Sequence, residues 1–256
     1  MELVREATWE TAFMNIASSA PLAPWSTKAV NLPEHASNRI HTDEGAIEAG
    51  FAAALVAGTT VYAYLTHVPA SSWGLSWVQS GGGEVRFRLP VLDGDVVDCV
   101  ASGQMVEAQV GGEPRASFDV FTAEQAPERL NVSASLTGER LPDLDVVLSD
   151  DLAGYGARCG DDLRLYEANG IVHPVVWLTL GNLVTMENLV DGSWIHVRSI
   201  VRHLGEVPLD STVQVESWVR DRFDSRAGDR AIVDLRFSLD GKLVAAVEHE
   251  SIIRLA

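Results

Sequence analysis

Two stretches in the first half of the chain decide the fold: residues 58–67 read GTTVYAYLTH and residues 85–97 read VRFRLPVLDGDVV. The first is an apolar run with the spacing of a helix. In the second, apolar and polar residues alternate from Val85 to Leu89, which is typical of a half-buried strand. A proline then interrupts the strand, and the Asp-Gly pair at 93–94 indicates a turn. The local order is therefore helix, strand, turn.

The same order of elements returns 116 residues further along the chain. Residues 174–183, PVVWLTLGNL, are typical of a helix, and residues 200–213, IVRHLGEVPLDSTV, read as strand, break, turn and strand. Few letters are shared, so the repeat rests on the order of elements. The sequence therefore predicts two copies of one structural unit.

Each half continues into a predicted hairpin. Residues 104–121 hold two strand patterns around GGEP, and residues 231–255 hold two longer ones around Asp240-Gly241, a dipeptide that favours tight hairpin turns. A long apolar helix followed by an antiparallel sheet that can wrap it is an α+β unit, known as the hotdog architecture. The prediction is a tandem hotdog: a first unit over residues 1–125, a polar, turn-rich linker over 126–150, and a second unit over 151–256.

Composition and motifs limit the class of protein and the cofactors that the sequence is compatible with. Apolar residues make up 46% and charged residues 21% of the 256, as in a soluble globular protein, and no run is long enough to span a bilayer. The N-terminal MELVREATWE does not resemble a signal peptide, so Cys99 and Cys159 are expected as reduced thiols and the protein as cytoplasmic. The sequence has no phosphate loop, dinucleotide fingerprint or metal-spaced histidines, so it predicts no cofactor and no metal.

The net charge of −17 disfavours nucleic acid, membrane surfaces and an acidic carrier protein. The stretches Arg86–Arg88 and Arg198–Arg202 could form a local basic patch or could be solvated strand faces. A homodimer is compatible with the sequence.

The first half resembles the MaoC-like dehydratases and R-specific enoyl-CoA hydratases over roughly residues 34–100. The residues that carry the resemblance are Asn38, Ile40, His41, Asp43, Gly50-Phe51, Leu55-Val56, Gly58, and Phe87, Pro90, Val91, Gly94 and Asp95. Two positions depart from the family pattern. Arg39 replaces a proline, and the family's catalytic aspartate falls on Ala36, two residues after Glu34.

The resemblance implies a site that adds water to, or removes it from, an acyl thioester. Hydration needs a base for water, an acid for the α-carbon and donors for the thioester oxygen. His41 is the predicted base, and the Gly58 N–H at a helix N-terminus is the predicted oxyanion donor. Asn38 could orient the substrate or hold the loop, and Val56 is a further predicted substrate-binding residue.

The catalytic carboxylate is open between Glu34 and Asp43, although Asp43 also suits the first turn of a helix. His35 is expected to be exposed.

The second half is predicted to be structural. Pro174 occupies the position equivalent to Gly58, and proline has no N–H to donate to an oxyanion. No H-x-D segment precedes it, although His173 does. Trp194 is interpreted as a packing residue.

The predicted function is a hydro-lyase acting on a 3-hydroxyacyl or enoyl thioester, with an acyl-CoA favoured over an acyl carrier protein. An acyl-CoA thioesterase and a non-catalytic thioester-binding protein are the alternatives, since hotdog folds host several functions.

Overall fold

The computed structural model describes residues 20–256. Within that range the strands form one antiparallel sheet of eleven strands. In chain order they are β1 (Trp25–Lys28), β2 (Gly82–Phe87), β3 (Val96–Ser102), β4 (Met105–Val110), β5 (Glu113–Phe121), β6 (Glu139–Arg140), β7 (Leu144–Val147), β8 (Ile195–His203), β9 (Thr212–Ser225), β10 (Gly228–Leu239) and β11 (Lys242–Leu255).

The α-helices of the described range differ greatly in length. They are α1 (Asp43–Glu48), α2 (Gly58–Trp73), α3 (Leu75–Ser80), α4 (Tyr155–Arg158), α5 (Leu165–Asn169) and α6 (Val175–Asn188). Short 3-10 helices cover Pro33–Ser37, Arg39–His41, Ala123–Gln125, Glu128–Leu130 and Asp150–Leu152. None of the helices in residues 20–256 has the length and apolar character needed to cross a bilayer.

The strand order across the sheet is β1-β3-β4-β5-β2-β8-β11-β10-β9-β6, and β7 also pairs with β9. Two tight turns connect neighbouring strands of this sheet into hairpins. Gly111 and Gly112 (φ 60° and 80°) connect β4 to β5, and Asp240 and Gly241 (φ 50° and 76°) connect β10 to β11. Positive φ at both central residues is the type I′ geometry that matches the twist of paired strands, so the predicted hairpins are present.

The two long helices pack on the two halves of the sheet. Of the 16 residues of α2, 13 are buried, so nearly every face of this helix lies in the core. Tyr62 of α2 meets Phe118 of β5 edge to face at 5.5 Å, and Trp177 of α6 meets Phe237 of β10 at 5.0 Å. This helix-on-sheet arrangement, present twice, is the predicted tandem hotdog.

The two halves of the sheet join at β2 and β8, which pair from Gly82↔Arg202 to Arg86↔Arg198. The junction depends on glycine, because a Cβ at Gly82 would lie 2.0 Å from the Val201 carbonyl oxygen and one at Gly83 would lie 2.2 Å from the Phe118 ring. The glycine run before Val85 therefore permits this close approach.

The segment predicted as a linker adds strands to the second half of the sheet. Its strands β6 and β7 pair with β9, and Leu130 packs with Phe121 and Ile200. Residues 151–170 also touch the first half. The Thr27 hydroxyl donates to the Gly160 carbonyl at 2.8 Å, for example.

Candidate active site

A cavity of about 280 Å³ lies where α2 begins and β2 meets β8. Its wall is mostly apolar and draws on both halves of the chain. The lining residues used below are Asn38, His41, Leu55, Val56, Gly58, Phe87, Arg88, Asn182, Trp194, His196 and Arg230. Among residues 20–256, no carboxylate side chain lines this cavity.

His41 lies in the cavity wall with a defined tautomer. Its Nδ1 is 2.8 Å from the Leu55 carbonyl oxygen. A carbonyl only accepts, so Nδ1 carries the proton, and Nε2 is left as the acceptor in the neutral ring. Burial lowers the pKa of His41 below its ordinary 6.5, and the bond to Leu55 opposes part of that shift. At neutral pH the ring is therefore a neutral base.

Gly58 is the first residue of α2 and borders the same cavity. The first N–H groups of a helix have no intrahelical acceptor and lie at the positive end of its dipole. A Cβ at Gly58 would lie 3.3 Å from the Phe87 ring, so a larger residue would crowd this wall. The arrangement suits an oxygen that gains negative charge.

Asn38 and Val56, the other two predicted binding residues, also line the cavity. The Asn38 Nδ2 donates to the Trp194 carbonyl at 3.0 Å, which links the His41 loop to the second half. The Val56 N–H donates to the Val91 carbonyl at 2.8 Å, which ties the segment before α2 to the loop after β2. Both hydrogen bonds, one from the Asn38 side chain and one from the Val56 main chain, end on main-chain carbonyls and fix the cavity wall.

The candidate carboxylates lie elsewhere. Glu34 forms an ion pair with Arg158, and neither side chain lines the cavity. Asp43 is the first residue of α1, and its Oδ1 accepts the Ala54 N–H at 2.9 Å. Ala36, at the family's aspartate position, is exposed. The structure therefore does not bring either predicted carboxylate to His41.

The expectation that His35 is exposed is wrong. His35 is half-buried, and its ring centroid is 5.8 Å from that of His41. Its Nε2 is 3.0 Å from the Tyr155 hydroxyl, which is 2.8 Å from the Thr60 hydroxyl. Burial, together with the neighbouring His41, lowers the pKa of His35 to about 4. The hydrogen-bonded side chains of His35, Tyr155 and Thr60 therefore pack beside the loop that carries His41.

The N-terminus of α6 offers fewer free N–H donors than the N-terminus of α2. Pro174 is the N-cap of α6, and the Val175 N–H donates to His173 Nδ1 at 3.0 Å. Pro174 has no N–H, and the N–H of Val175 is already bonded to His173. Two of the donors that α2 offers at its start are therefore missing or occupied in α6.

Sequence reasoning missed the polar residues that the second half contributes to the cavity, Asn182 of α6 and His196 of β8. His196 Nε2 is 2.8 Å from the Ser199 hydroxyl, which is 2.9 Å from His249 Nδ1. Trp194 is buried, as expected of a packing residue, and also lines the cavity. No local signal in the sequence reveals the group of His196, Ser199 and His249, because it depends on the strand register that places Ser199 opposite His249.

The buried His67 is hydrogen-bonded outside this cavity. His67 Nδ1 is 2.6 Å from Asp161 Oδ1, and the His67 ring stacks on Trp25 at 4.0 Å. Ligand-type atoms of His67, Asp161 and Asp162 lie within 4.8 Å of one another, a grouping that sequence spacing could not reveal. The His67–Asp161 bond ties α2 to the segment after α4.

Most arginines of the predicted basic stretches are already paired. Arg86 pairs with Glu84, Arg198 is buried against Glu248 and Glu250, and Arg202 donates to the Leu130 carbonyl. Arg88 is exposed at the cavity and has no ion-pair partner within residues 20–256. These contacts favour strand faces over a broad basic patch.

Solved structures share this architecture. One from Chloroflexus aurantiacus J-10-fl, described as a MaoC domain protein dehydratase, matches with a TM-score of 0.60 at 11% identity, over 92% of this chain and 96% of its own. A MaoC-like dehydratase from Phytophthora capsici has a TM-score of 0.51 at 11% identity, over 94% and 99% of the two chains.

A Lactobacillus plantarum structure described as an oleoyl thioesterase also has a TM-score of 0.51 at 11% identity, over 94% and 99% of the two chains. No protein-family model and no curated protein sequence matches the chain. Identities this low show the fold alone. The chain therefore has the hotdog fold, confirming the predicted fold class, and its structural neighbours include the MaoC-like dehydratases suggested by the resemblance.

Proposed function

We propose that the protein is a hydro-lyase that hydrates an enoyl thioester, or dehydrates the 3-hydroxyacyl form, with His41 as the base. CoA is the favoured carrier. The acyl group lies in the apolar cavity, and the exposed Arg88 at its edge is suited to a phosphate of CoA. An acidic carrier protein is a weaker candidate, since the other arginines near Arg88 are paired.

In the hydration direction, His41 Nε2 takes a proton from water while the water oxygen bonds to the β-carbon. The electron pair of the double bond moves to the thioester, and its oxygen becomes enolate-like. The N–H groups at the start of α2 stabilise this oxygen. The protonated imidazole then returns the proton to the α-carbon, which leaves His41 neutral and adds one water overall.

One observation carries this proposal: the same apolar cavity holds an imidazole with its Nδ1 proton bonded to the Leu55 carbonyl and a helix N-terminus that begins with glycine. Because no carboxylate lines the cavity within the described residues, one imidazole must act as both base and acid.

Because no carboxylate among the described residues lines the cavity, thioester hydrolysis is a second candidate reaction. A thioesterase would use His41 to direct water at the thioester carbonyl, and the same helix N-terminus would stabilise the tetrahedral oxyanion. The sequence offers four carboxylates for such an enzyme, Glu34, Asp43, Glu44 and Glu48, and none of them lines the cavity. Glu34 pairs with Arg158, Asp43 accepts the Ala54 N–H, and Glu48 pairs with Arg39.

The test follows two signals in one incubation. The protein is mixed with crotonyl-CoA and, separately, with a 3-hydroxyacyl-CoA, while enoyl absorbance and free thiol are recorded. A change in enoyl absorbance without thiol release is the expected result. Thiol release would establish the thioesterase instead. Binding with neither signal would leave a non-catalytic thioester-binding protein and refute the proposed reaction.

A further inference from the structure

The proposed reaction depends on where His41 lies relative to the N-terminus of α2, because the base and the oxyanion donors act on one substrate at the same time. Two bonds connect the His41 loop, residues 33–41, to Leu55. The His41 ring donates to the Leu55 carbonyl, and the Leu55 N–H donates to the Ile40 carbonyl at 3.0 Å. Leu55 precedes the helix, which begins at Gly58, so neither bond joins the loop to the helix itself.

Tyr155 of the second half makes a contact with both. Its hydroxyl is 2.8 Å from the Thr60 hydroxyl, in the first turn of α2, and 3.0 Å from His35 Nε2, in the His41 loop. Thr60 and His35 are themselves 3.5 Å apart, at the limit of a hydrogen bond. Burial raises the pKa of Tyr155 above its ordinary 10, so the hydroxyl keeps its proton and can donate one bond and accept another. Tyr155 therefore bridges the helix and the loop.

The main chain couples the position of His35 to that of His41. The two residues are in consecutive 3-10 turns, Pro33–Ser37 and Arg39–His41. The Asn38 N–H donates to the His35 carbonyl at 3.1 Å, and the His41 N–H donates to the Asn38 carbonyl at 3.0 Å. A shift of His35 away from α2 therefore also moves His41.

The segment that carries Tyr155 is itself fixed along α2. Tyr155 contacts Thr60, and Asp161 Oδ1 is 2.6 Å from His67 Nδ1, seven residues further along the same helix. Seven residues are about two turns, or about 10 Å, of an α-helix. The Asp161 N–H donates to the Gly156 carbonyl at 2.8 Å, which connects the two points of attachment. Tyr155 is therefore held in place by α2 at both ends of its segment.

Arg158 of α4 also contacts the His41 loop, through its ion pair with Glu34. Both of these side chains are more than a third exposed, and an exposed ion pair contributes little to stability. Tyr155 is buried, and breaking a buried hydrogen bond leaves its partners unsatisfied, which costs more. The Tyr155 bridge is therefore the stronger of the two contacts.

We propose that Tyr155 is a positioning residue, whose hydroxyl holds the His41 loop at the distance from the N-terminus of α2 that the reaction requires. The inference rests on the proposed function. Binding of the thioester needs the cavity, whereas the transition state also needs the base and the helix N–H groups in the correct relative position. Loss of the Tyr155 hydroxyl therefore lowers kcat and leaves the affinity for the thioester nearly unchanged.

The test is Tyr155→Phe, which removes the hydroxyl and keeps the ring. Hydration of crotonyl-CoA per folded molecule should fall roughly tenfold to hundredfold, because a displacement of about 1 Å can cost about 10²-fold. The affinity for hexanoyl-CoA, measured by calorimetry, should change by less than about twofold. Tyr166→Phe is the matched control and should keep wild-type turnover. Tyr166 is also buried in the second half, and its hydroxyl has no hydrogen-bond partner within residues 20–256.

A double variant separates positioning from a general structural role. Because Tyr155 acts through His41, Tyr155→Phe should lower the residual turnover of His41→Ala by less than about twofold. If Tyr155→Phe does not fold, Thr60→Val decides, since it removes the other hydroxyl of the bridge and should cause the same loss of kcat.

The inference is overturned if the folded variant keeps wild-type turnover, or if its affinity for hexanoyl-CoA falls as much as its turnover. It is also overturned if the loss is as large without His41 as with it. In each of these cases hydration of crotonyl-CoA by the wild-type protein leaves the proposed function intact. If the wild-type protein hydrates no enoyl-CoA, the proposed function is refuted, and the role of Tyr155 with it.

Discussion

Replacing His41 by alanine separates its catalytic role from its structural one. Loss of a general base is expected to lower kcat by roughly 10²–10⁴-fold. The structural cost is much smaller. The variant loses the 2.8 Å bond to the Leu55 carbonyl, which amounts to about 1 kcal/mol of unfolding free energy, or up to about 3 kcal/mol if that carbonyl is left without a partner.

The pH profile supplies a second signature of His41. Only the neutral ring can accept a proton from water, and burial holds the pKa of His41 below 6.5. The activity should therefore be constant near neutral pH and fall as the pH drops through that lowered pKa. This acid limb should disappear from the residual activity of His41→Ala.

The control is His203→Ala. His203 is buried and also bonds through Nδ1 to a carbonyl, that of Trp77 at 3.2 Å, but it does not line the cavity. The assay is hydration of crotonyl-CoA, or of a better substrate, per folded molecule, with folding measured by urea unfolding. His203→Ala should lose stability and keep its turnover. The reasoning is refuted if His41→Ala keeps wild-type turnover, or if both variants lose turnover equally.

Three further predictions concern other parts of the chain. Glu34→Gln should change crotonyl-CoA turnover by no more than about twofold, because an exposed ion pair contributes only about 0–1 kcal/mol and Glu34 does not line the cavity; a loss as large as that of His41→Ala would put Glu34 in the aspartate's role. Calorimetry with hexanoyl-CoA, which keeps the thioester carbonyl and cannot be hydrated, should give one site per chain, because Pro174 has no N–H and the Val175 N–H is bonded; two equivalent sites would contradict this. The free energy of unfolding should fall as the pH drops from 6.5 towards 4, because burial lowers the folded-state pKa of His173 to about 4 while the unfolded chain binds the proton near 6.5, a slope of up to about 1.4 kcal/mol per pH unit for this group. Urea unfolding at pH 7 and pH 5 should show a weaker pH dependence in His173→Asn, and an unchanged one would rule out this histidine.

Much of the fold could be predicted because its signals are local. The apolar run after Gly58, the alternation from Val85 and the Asp240-Gly241 turn each specify one element within a few residues. The repeat then supplied the architecture. The strands β6 and β7 were missed because they are short: β6 is two exposed polar residues, and β7 is four residues with only Leu144 and Val146 against the core, too few to stand out from a turn-rich linker.

The site was predictable only where it is contiguous in sequence. Asn38 and His41 are three residues apart and share the cavity wall with Gly58. The contributions of Asn182 and His196 depend on the pairing of β2 with β8, which no local pattern encodes. The exposure of His35 was misjudged for the same reason, since its partner Tyr155 is 120 residues away.

The continuous ladder between β2 and β8 has a mechanical consequence. The walls on either side of the cavity are linked by main-chain hydrogen bonds from Gly82↔Arg202 to Arg86↔Arg198, with the Asn38 side chain as a further tie to Trp194. Swinging one half away from the other would break these bonds. Opening the two halves as rigid bodies is therefore costly, and under the proposed function we expect the shape of the cavity, not closure of the halves, to decide which acyl groups bind.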